Sequence, residues 1–378
     1  MSERLDGMNY EADVHPRALW AWGANQCGQL GEGSEDAQPA PVTIEGVRNV
    51  IHVAAGYRSA LAVDAAGHVW AWGENEFGKL GDGTEQHRPA PVRLLSLSGV
   101  TMVAAGARTS YALTDDGSVW AWGGNPFHEL GGGERVDHMA GLRRPGGLDI
   151  RPLSPTESGR KTPDLVRGLS RVISIAAGGS RAFALRSDGT VWAWGDNQRG
   201  RLGDGTILEH SIPIRLTALS EVTSIAVGER SAYALRADGT VWAWGDNSAG
   251  QLGVGSLTGR LTPVRVQGLD DVVAVAAGGA TAYALDLEGA LWAWGDNGHG
   301  QIGDGTQVDR TTPVRVIGLP EVAKVSAGAN WAYAITASGD VWAWGSNEAG
   351  QLPGFDGLDS LAPTHLSVAR GVVSIFAG

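Results

Sequence analysis

Six short segments differ from one another at a place where the rest of the chain repeats, and arginine is the side chain that they share most often. Each segment is three residues long and follows a turn that ends in glycine: Tyr57-Arg58-Ser59, Ala107-Arg108-Thr109, Gly179-Ser180-Arg181, Glu229-Arg230-Ser231, Gly279-Ala280-Thr281 and Ala329-Asn330-Trp331. Four of the six contain an arginine. Because a planar guanidinium suits carboxylate and phosphate groups, the pattern predicts a site for an anionic partner.

Tyrosine, tryptophan and arginine also dominate the energetics of protein interfaces. We therefore predict a basic arc on one face of the molecule, opposite in sign to a chain whose net charge is −12. Its predicted partner-binding residues are Tyr57, Arg58, Arg108, Arg181, Glu229, Arg230, Asn330 and Trp331. The structural alternative is that these arginines hydrogen-bond carbonyl or carboxylate groups of neighbouring elements and stiffen the rim.

Catalytic and metal chemistry has weaker support. The nine histidines do not recur in register, and none forms a ligand pair such as His-x-x-x-His. No catalytic residue, metal site or cofactor is predicted. A cluster that would be the choice if catalysis or metal binding were real consists of His128, Glu129, Glu134, Asp137 and His138.

The elements that must position the arc are read from a repeat. Trp-Ala-Trp-Gly occurs seven times, at residues 20–23, 70–73, 120–123, 192–195, 242–245, 292–295 and 342–345. Five of the six steps are 50 residues and one is 72 residues, and a period near 50 is typical of propellers and solenoids. Each unit contains four short apolar segments bounded by Gly, Asp, Asn or Pro, which indicates four strands, here named a to d.

These units predict an all-β chain, a seven-bladed β-propeller of four-stranded antiparallel blades that forms a single domain over residues 1–378. The last segment, Val372 to Gly378, has the pattern of strand a, whereas the first, Ala18 to Gly23, has the pattern of strand c. We expect the two ends to share one blade and close the ring, so that neither leaves an unpaired edge. The a to b and c to d loops then lie on one face.

The units resemble the repeats of the regulator of chromosome condensation family. The resemblance rests on Gly-Gln-Leu-Gly-Asp-Gly, followed by Pro-Val and then Val-Ala-Ala-Gly, which recur in recognisable form in most units. It implies the propeller fold. Function does not follow from it, because relatives on this scaffold include an exchange factor for a small GTPase, a plant photoreceptor and bacterial β-lactamase inhibitors. The histidine common after the family's Ala-Gly turn is replaced here.

The extra residues of the 72-residue step form an inserted loop at about 134–163, between strands c and d and therefore on the face of the arc. The segment is polar and rich in Pro and Gly, and long loops on rigid scaffolds often carry function. Arg143 and Arg144 are its predicted partner-binding residues. A tolerated insertion without a binding role is the alternative.

Composition sets further limits. There is no run of 18 apolar residues and no leader pattern at Met1 to Tyr10, so we predict a cytoplasmic protein without a membrane partner. The net charge argues against nucleic acid as a partner. The single Cys27 excludes an internal disulfide framework, and 26 arginines against 3 lysines suggest a bacterial origin.

From the sequence we predict a scaffold or regulator that binds a partner protein through the arc and the inserted loop. The partner is expected to present an acidic surface to them. One alternative is a small-molecule enzyme that uses the central depression of the same face. A further alternative is a guanine nucleotide exchange factor. An enzyme is the less favoured class.

Overall fold

Four-strand units follow one another along almost the whole chain. The computed structural model describes residues 19–133, 159–354 and 357–366. Within those ranges it contains six four-stranded antiparallel sheets and one two-stranded sheet. Helical structure is limited there to two single 3-10 turns, Glu76–Gly78 and Gln198–Gly200, and none of these residues belongs to a helix that could cross a membrane.

Strands are numbered in chain order, and each blade runs from strand a to strand d. The two-stranded sheet consists of β1 (Leu19–Gly23) and β2 (Gln38–Ile44). Blade 1 consists of β3 (Val50–Gly56), β4 (Ser59–Asp64), β5 (Val69–Gly73) and β6 (Arg88–Leu94). Blade 2 consists of β7 (Val100–Ala105), β8 (Thr109–Thr114), β9 (Val119–Gly123) and β10 (Arg160–Leu165). Blade 3 consists of β11 (Val172–Gly178), β12 (Arg181–Arg186), β13 (Val191–Gly195) and β14 (His210–Arg215).

The remaining blades repeat the same order. Blade 4 consists of β15 (Val222–Val227), β16 (Ser231–Arg236), β17 (Val241–Gly245) and β18 (Arg260–Arg265). Blade 5 consists of β19 (Val272–Ala277), β20 (Thr281–Asp286), β21 (Leu291–Gly295) and β22 (Arg310–Arg315). Blade 6 consists of β23 (Val322–Ala327), β24 (Trp331–Thr336), β25 (Val341–Gly345) and β26 (Ser360–Leu366). Strand a of each blade packs against strand a of the next, which makes it the innermost strand.

The central strands are buried on both faces. In β16 of blade 4, Ala232 and Ala234 point to one side of the sheet and Tyr233 to the other, yet all three are buried. Alternation of apolar and polar residues is therefore absent, because another blade covers each face. The small alanines Ala232 and Ala234 leave room for large side chains of blade 3, such as Phe183 and Leu202, which pack with Trp244 of blade 4 in the space between the two sheets.

The second tryptophan of each Trp-Ala-Trp-Gly joins one sheet to the preceding one. Its indole N–H donates to the carbonyl of a residue in the preceding c to d loop, at 2.7–3.1 Å; the donors are Trp22, Trp72, Trp122, Trp194, Trp244, Trp294 and Trp344. Trp22 of the two-stranded sheet bonds Gln351 of blade 6, while Trp72 of blade 1 bonds Gln29 beside the two-stranded sheet. That sheet is therefore linked to both the first and the last blade.

The predicted fold class is thus confirmed as an all-β propeller with four-stranded antiparallel blades. Among the described residues the complete blades number six rather than seven. The predicted closing strand at Val372 to Gly378 lies outside the described residues. The predicted inserted loop, 134–163, is too long at its C-terminal end, because β10 begins at Arg160, which pairs with Gly123.

Candidate functional site

The a to b and c to d loops meet on one face, as the sequence predicts. In every complete blade, the amide that follows Trp-Ala-Trp-Gly donates to the carbonyl of the second residue of the three-residue segment at 2.8–3.0 Å; these donors are Glu74, Gly124, Asp196, Asp246, Asp296 and Ser346. The bond fixes each a to b loop against the end of strand c. The six variable segments are therefore held by backbone contacts that do not depend on their side chains.

The turns before the segments form a ring around the propeller axis. Ala107 N donates to Gly179 O at 2.9 Å, and Glu229 N and Gly279 N reach the next blade in the same way at 3.1 Å. A Cβ at Gly228 would lie 2.5 Å from Gly278 O, closer than real Cβ contacts allow. The ring requires glycine at this position because adjacent backbones touch there, and it places the variable segments side by side in blade order.

Tyr57 and Arg58 form an exposed, braced pair. Tyr57 is 61% exposed, and the Arg58 guanidinium lies 5.2 Å from the centre of its ring, a stacked geometry that favours the cation. Arg58 has a φ of 56°, a left-handed conformation that is uncommon outside glycine. Beneath the pair, Lys79 is buried, donates to Tyr57 O at 2.7 Å and forms an ion pair with Glu74.

The arginines of blades 2 and 4 are also exposed. Arg108 stacks over Phe77 of blade 1 at 5.1 Å from the ring centre. Arg230 lies 3.8 Å from the carboxylate of Glu229, and both side chains are about half exposed or more. Three of the predicted arginines therefore lie exposed on one face: Arg58, Arg108 and Arg230. We call these three residues the arginine arc.

Arg181 differs from this prediction. Its side chain is fully buried, and its guanidinium donates to the carbonyls of Glu229, Gly228 and Ser231 at 2.7, 3.0 and 3.1 Å. Burial lowers the pKa of Arg181 to about 9, so the side chain keeps its charge at neutral pH. The surface position predicted for Arg181 is wrong; the structural alternative, in which an arginine bonds carbonyls of the next blade, describes it.

The other predicted residues have mixed positions. Asn330 and Trp331 are half-buried; Trp331 packs on the core cluster of blade 6 that includes Tyr333 and Leu352. Arg143 and Arg144, together with Glu134, Asp137 and His138 of the alternative catalytic cluster, lie outside the described residues. Among the described residues no group of three or more His, Cys, Asp or Glu side chains is arranged to hold a metal ion.

A cavity of about 270 Å³ opens on the same face between blades 4, 5 and 6. Predicted residues form part of its wall, namely Glu229, Arg230 and Asn330, and the rest includes Gln251, Ala280 and Asp296. Blade 5 leaves room for the cavity because Ala280 stands where Arg58, Arg108 and Arg230 stand in their own blades. The lining is mostly polar and carries both signs of charge.

A comparison with models of protein families identifies the repeat that builds this face. The model of the RCC1-like domain matches residues 18–378. The chain belongs to the RCC1-like domain family. The predicted resemblance is thereby confirmed over nearly the whole chain, including the loops that carry the arginine arc.

Known structures and proteins are similar to this RCC1-like domain to different extents. Human WBSCR16 superimposes with a TM-score of 0.81 at 23% identity, covering 96% of this chain and 97% of that one. Yeast RCC1 (Prp20), solved bound to Kap60, gives 0.78 at 25% identity over 97% and 88%. A Saccharomyces cerevisiae Prp20p structure, described with its binding to Gsp1p and histones, gives 0.80 at 24% over 97% and 90%.

Two of the curated proteins that match do so over a short segment. Human and mouse E3 ubiquitin-protein ligase HERC2 are each 46% identical over 48 residues, which is 12% of this chain and 1% of either ligase. The chain therefore matches only a very small part of those proteins.

Sequence reasoning missed two buried residues of this RCC1-like domain. Glu129 enters the sequence analysis only as part of a catalytic or metal-binding cluster, and Gln251 not at all. Gln251 holds the second position of a Gly-x-Leu-Gly turn, and Glu129 holds the equivalent position after His128. Burial raises the pKa of Glu129 to about 7, against the opposing effects of bonds from Phe127 N and Ser180 and of the Arg108 charge. The Nε2 of Gln251 is buried without a hydrogen-bond partner among the described residues.

Proposed function

We propose that this protein is an interaction scaffold or regulator that binds a partner protein through the arginine arc and the adjoining cavity. The observation that carries the proposal is the exposed pair of stacked arginines, Arg58 on Tyr57 and Arg108 on Phe77. An aromatic ring holds each guanidinium in place before a partner arrives, which lowers the entropy lost on binding. Arginine and tyrosine in such positions are typical interface hot spots.

The charge of the arc favours an acidic partner surface. The chain has a net charge of −12, so a group of exposed arginines is a local exception to the sign of the molecule. Guanidinium groups bind carboxylates through paired, charge-assisted hydrogen bonds. Family membership supports the proposal, since the Prp20 structures are described with protein partners: Kap60 in one, Gsp1p and histones in the other.

The cavity favours protein binding over small-molecule catalysis. Its volume of about 270 Å³ is below the range of about 300–1,000 Å³ common for small-molecule pockets, and such pockets are mostly apolar. A small polar recess beside exposed arginines suits one side chain of a larger partner. Exchange-factor activity stays a prediction that a stimulated nucleotide-release assay would test.

Charge reversal of the arc tests the proposal. We expect Arg58→Glu, Arg108→Glu and Arg230→Glu together to reduce recovery of a specific partner from a lysate of the source organism by at least about 100-fold, because hot-spot residues cost about 2 kcal/mol or more each. Affinity capture with quantitative mass spectrometry measures this. Arg181 is left unchanged because it is buried.

A matched control carries the same charge change on another surface. Arg93, Arg215 and Arg315 are exposed at equivalent positions on the outer strands of blades 1, 3 and 5, and we expect their triple change to glutamate to retain the partner. Thermal melting shows whether both variants are folded. Equal recovery by wild type and a folded arc variant would refute the proposed interface.

We also propose that the ring has seven blades and that the two chain ends complete the seventh. Support comes from the two-stranded sheet, where Trp22 repeats the contacts made between complete blades: a bond to Gln351 O at 3.0 Å and an edge-on contact with Tyr333 at 5.7 Å. Equivalent pairs such as Tyr233 and Trp294 lie 6.0 Å apart. The closing strands themselves stay a prediction.

Deleting residues 367–378 tests the closure. We expect the melting temperature to fall by several degrees, because strand a of the seventh blade would be lost. The two-stranded sheet that carries Trp22 should also become more accessible to solvent. Amide hydrogen exchange should then rise in β1 and β2 but not in β15 to β18, on the opposite side. An unchanged melting temperature and exchange pattern would argue against closure by the C-terminal residues.

A further inference from the structure

We propose that the cavity between blades 4, 5 and 6 binds a primary carboxamide, the side chain of an asparagine or glutamine presented by the protein partner. Because it places part of a partner in the cavity, this inference rests on the proposed function. The chemistry of the lining residues carries it, beginning with Gln251 at the cavity wall.

Gln251 supplies a hydrogen-bond donor that the protein does not use. Its backbone is fixed, since Gln251 O accepts from Trp294 Nε1 at 2.8 Å and from the Tyr233 hydroxyl at 2.6 Å. Its Oε1 accepts from Ala249 N at 2.9 Å, which leaves Nε2 as the only free end. Buried donors without a partner are rare and costly in folded proteins, so this one points to an acceptor supplied by a ligand.

Blade 5 shows what Gln251 lacks. There, Gln301 Nε2 donates to Asp296 Oδ2 at 2.8 Å. The equivalent carboxylate in blade 4 is Asp246, whose Oδ2 accepts from Arg199 of blade 3 at 2.8 Å and from Ser248 at 3.3 Å. The arginine thus occupies the acceptor that the repeat would give to Gln251, and the amide of Gln251, a residue of the cavity wall, is left without one.

The remaining lining residues select the class of ligand. The side chains of Glu229, Arg230 and Asp296 have a net negative charge, which disfavours a carboxylate ligand. The unpaired N–H donor of Gln251 cannot coordinate a simple cation. A carboxamide is uncharged and has both an acceptor and a donor. Its carbonyl can accept from Gln251 Nε2, and its NH₂ can donate to the carboxylate of Glu229 or Asp296. Asn330 also lines the cavity and adds a donor and an acceptor, since its side chain makes no hydrogen bond with the described residues.

The test uses a probe that needs no partner. N-acetyl-glutamine methylamide would be titrated into protein labelled with ¹⁵N in glutamine side chains, and the Gln251 amide signals followed by NMR. We expect saturable shifts with a Kd of about millimolar, since few atoms make contact. N-acetyl-norvaline methylamide lacks the side-chain carboxamide, and N-acetyl-glutamate methylamide replaces it with a carboxylate. Each should bind at least about tenfold more weakly, the equivalent of one lost hydrogen bond.

Ala280→Arg provides a variant that the repeat itself tolerates. It gives blade 5 the residue found at this position in blades 1, 2 and 4 and should fill the cavity while leaving Gln251 intact. We expect it to abolish the glutamine-dependent shifts. Ala107→Arg adds the same charge in a blade 2 loop away from the cavity and should leave them unchanged.

The outcomes separate this inference from the proposed function. Equal shifts with all three probes, no shift with any, or full binding by a folded Ala280→Arg variant would overturn the carboxamide site. If the probe binds as expected but charge reversal of the arc leaves partner capture unchanged, the cavity stands and the arc interface falls. If capture depends on the arc but the probe does not bind, the arc interface stands and the carboxamide site falls.

Discussion

Replacing Arg181 with serine is expected to lower the free energy of unfolding by about 3 to 5 kcal/mol. The guanidinium donates to Glu229 O and Gly228 O, and neither carbonyl has another donor among the described residues. Each buried acceptor left without a donor costs about 1–3 kcal/mol, and loss of the buried side chain adds a cavity between blades 3 and 4. Urea denaturation followed by tryptophan fluorescence measures the change.

Serine makes this a demanding test because the repeat favours it. The same position holds Ser59, Thr109, Ser231 and Thr281 in four other blades, so a purely repeat-based view predicts a neutral or stabilising change. The matched control is Thr281→Ser, which keeps a hydroxyl able to donate to Asp296 O and should cost under about 1 kcal/mol. An Arg181→Ser variant as stable as wild type would mean that the three carbonyl bonds contribute little.

Arg181 also shows where sequence reasoning fell short. The strands and blades follow from the spacing of Trp-Ala-Trp-Gly, because each copy places one indole against the preceding sheet and this contact recurs at every step. The predicted arc rests only on the presence of arginine in the three-residue segments. Arg58, Arg108 and Arg230 hold the second place and are exposed, whereas Arg181 holds the third, where the side chain turns inward at the start of strand b.

Position within the segment was therefore the missing signal. Successive residues of a strand point to opposite faces, and every third-place residue of the complete blades is buried except Trp331, which is half-buried. The predicted arc rests on residue type and not on this alternation. The destination of the guanidinium, in contrast, could not be read from the sequence, since it depends on carbonyls of blade 4 that lie 47 to 50 residues away.

A second readable signal lies in pairs five residues apart. In blades 1, 3 and 5 the residue after Trp-Ala-Trp-Gly pairs with the residue five positions later: Asp196 with Arg201 at 2.6 Å, Asp296 with Gln301, and Glu74 with Lys79. Blade 2 breaks this pattern, because Gly124 offers no side chain to Glu129. The mismatch marks a buried carboxyl without the usual partner, and it is visible in the repeat alone.

Glu129→Gln is expected to stabilise the protein above neutral pH and to have little effect in acid. The carboxyl is fully buried, and burial raises its pKa from 4.5 in the unfolded chain to about 7. The folded protein therefore holds this proton more tightly, so the contribution to stability is fully present below pH 4.5 and is lost as the pH rises to about 7. Above that pH the wild type must keep a buried negative charge.

Glutamine removes this cost without disturbing the turn. Glu129 Oε2 accepts from Phe127 N at 2.8 Å, and the glutamines of four other turns, Gln29, Gln251, Gln301 and Gln351, make the same bond through Oε1 at 2.8–2.9 Å. A shift of about 2.5 pH units corresponds to about 3 kcal/mol. We expect the gain from Glu129→Gln to grow from near zero at pH 4.5 to about 3 kcal/mol at pH 8.

Urea denaturation of both proteins across this pH range measures the gain. Glu288→Gln, at an exposed b to c turn, removes one carboxylate without removing a buried charge, and its stability difference from wild type should not follow the same curve. Because Arg108 stands near Glu129 and favours the charged form, Arg108→Ala should shift the midpoint of the Glu129→Gln gain to higher pH. A gain that is constant between pH 4.5 and 8 would show that Glu129 does not titrate there, and the stabilisation would then come from the amide rather than from loss of a buried charge.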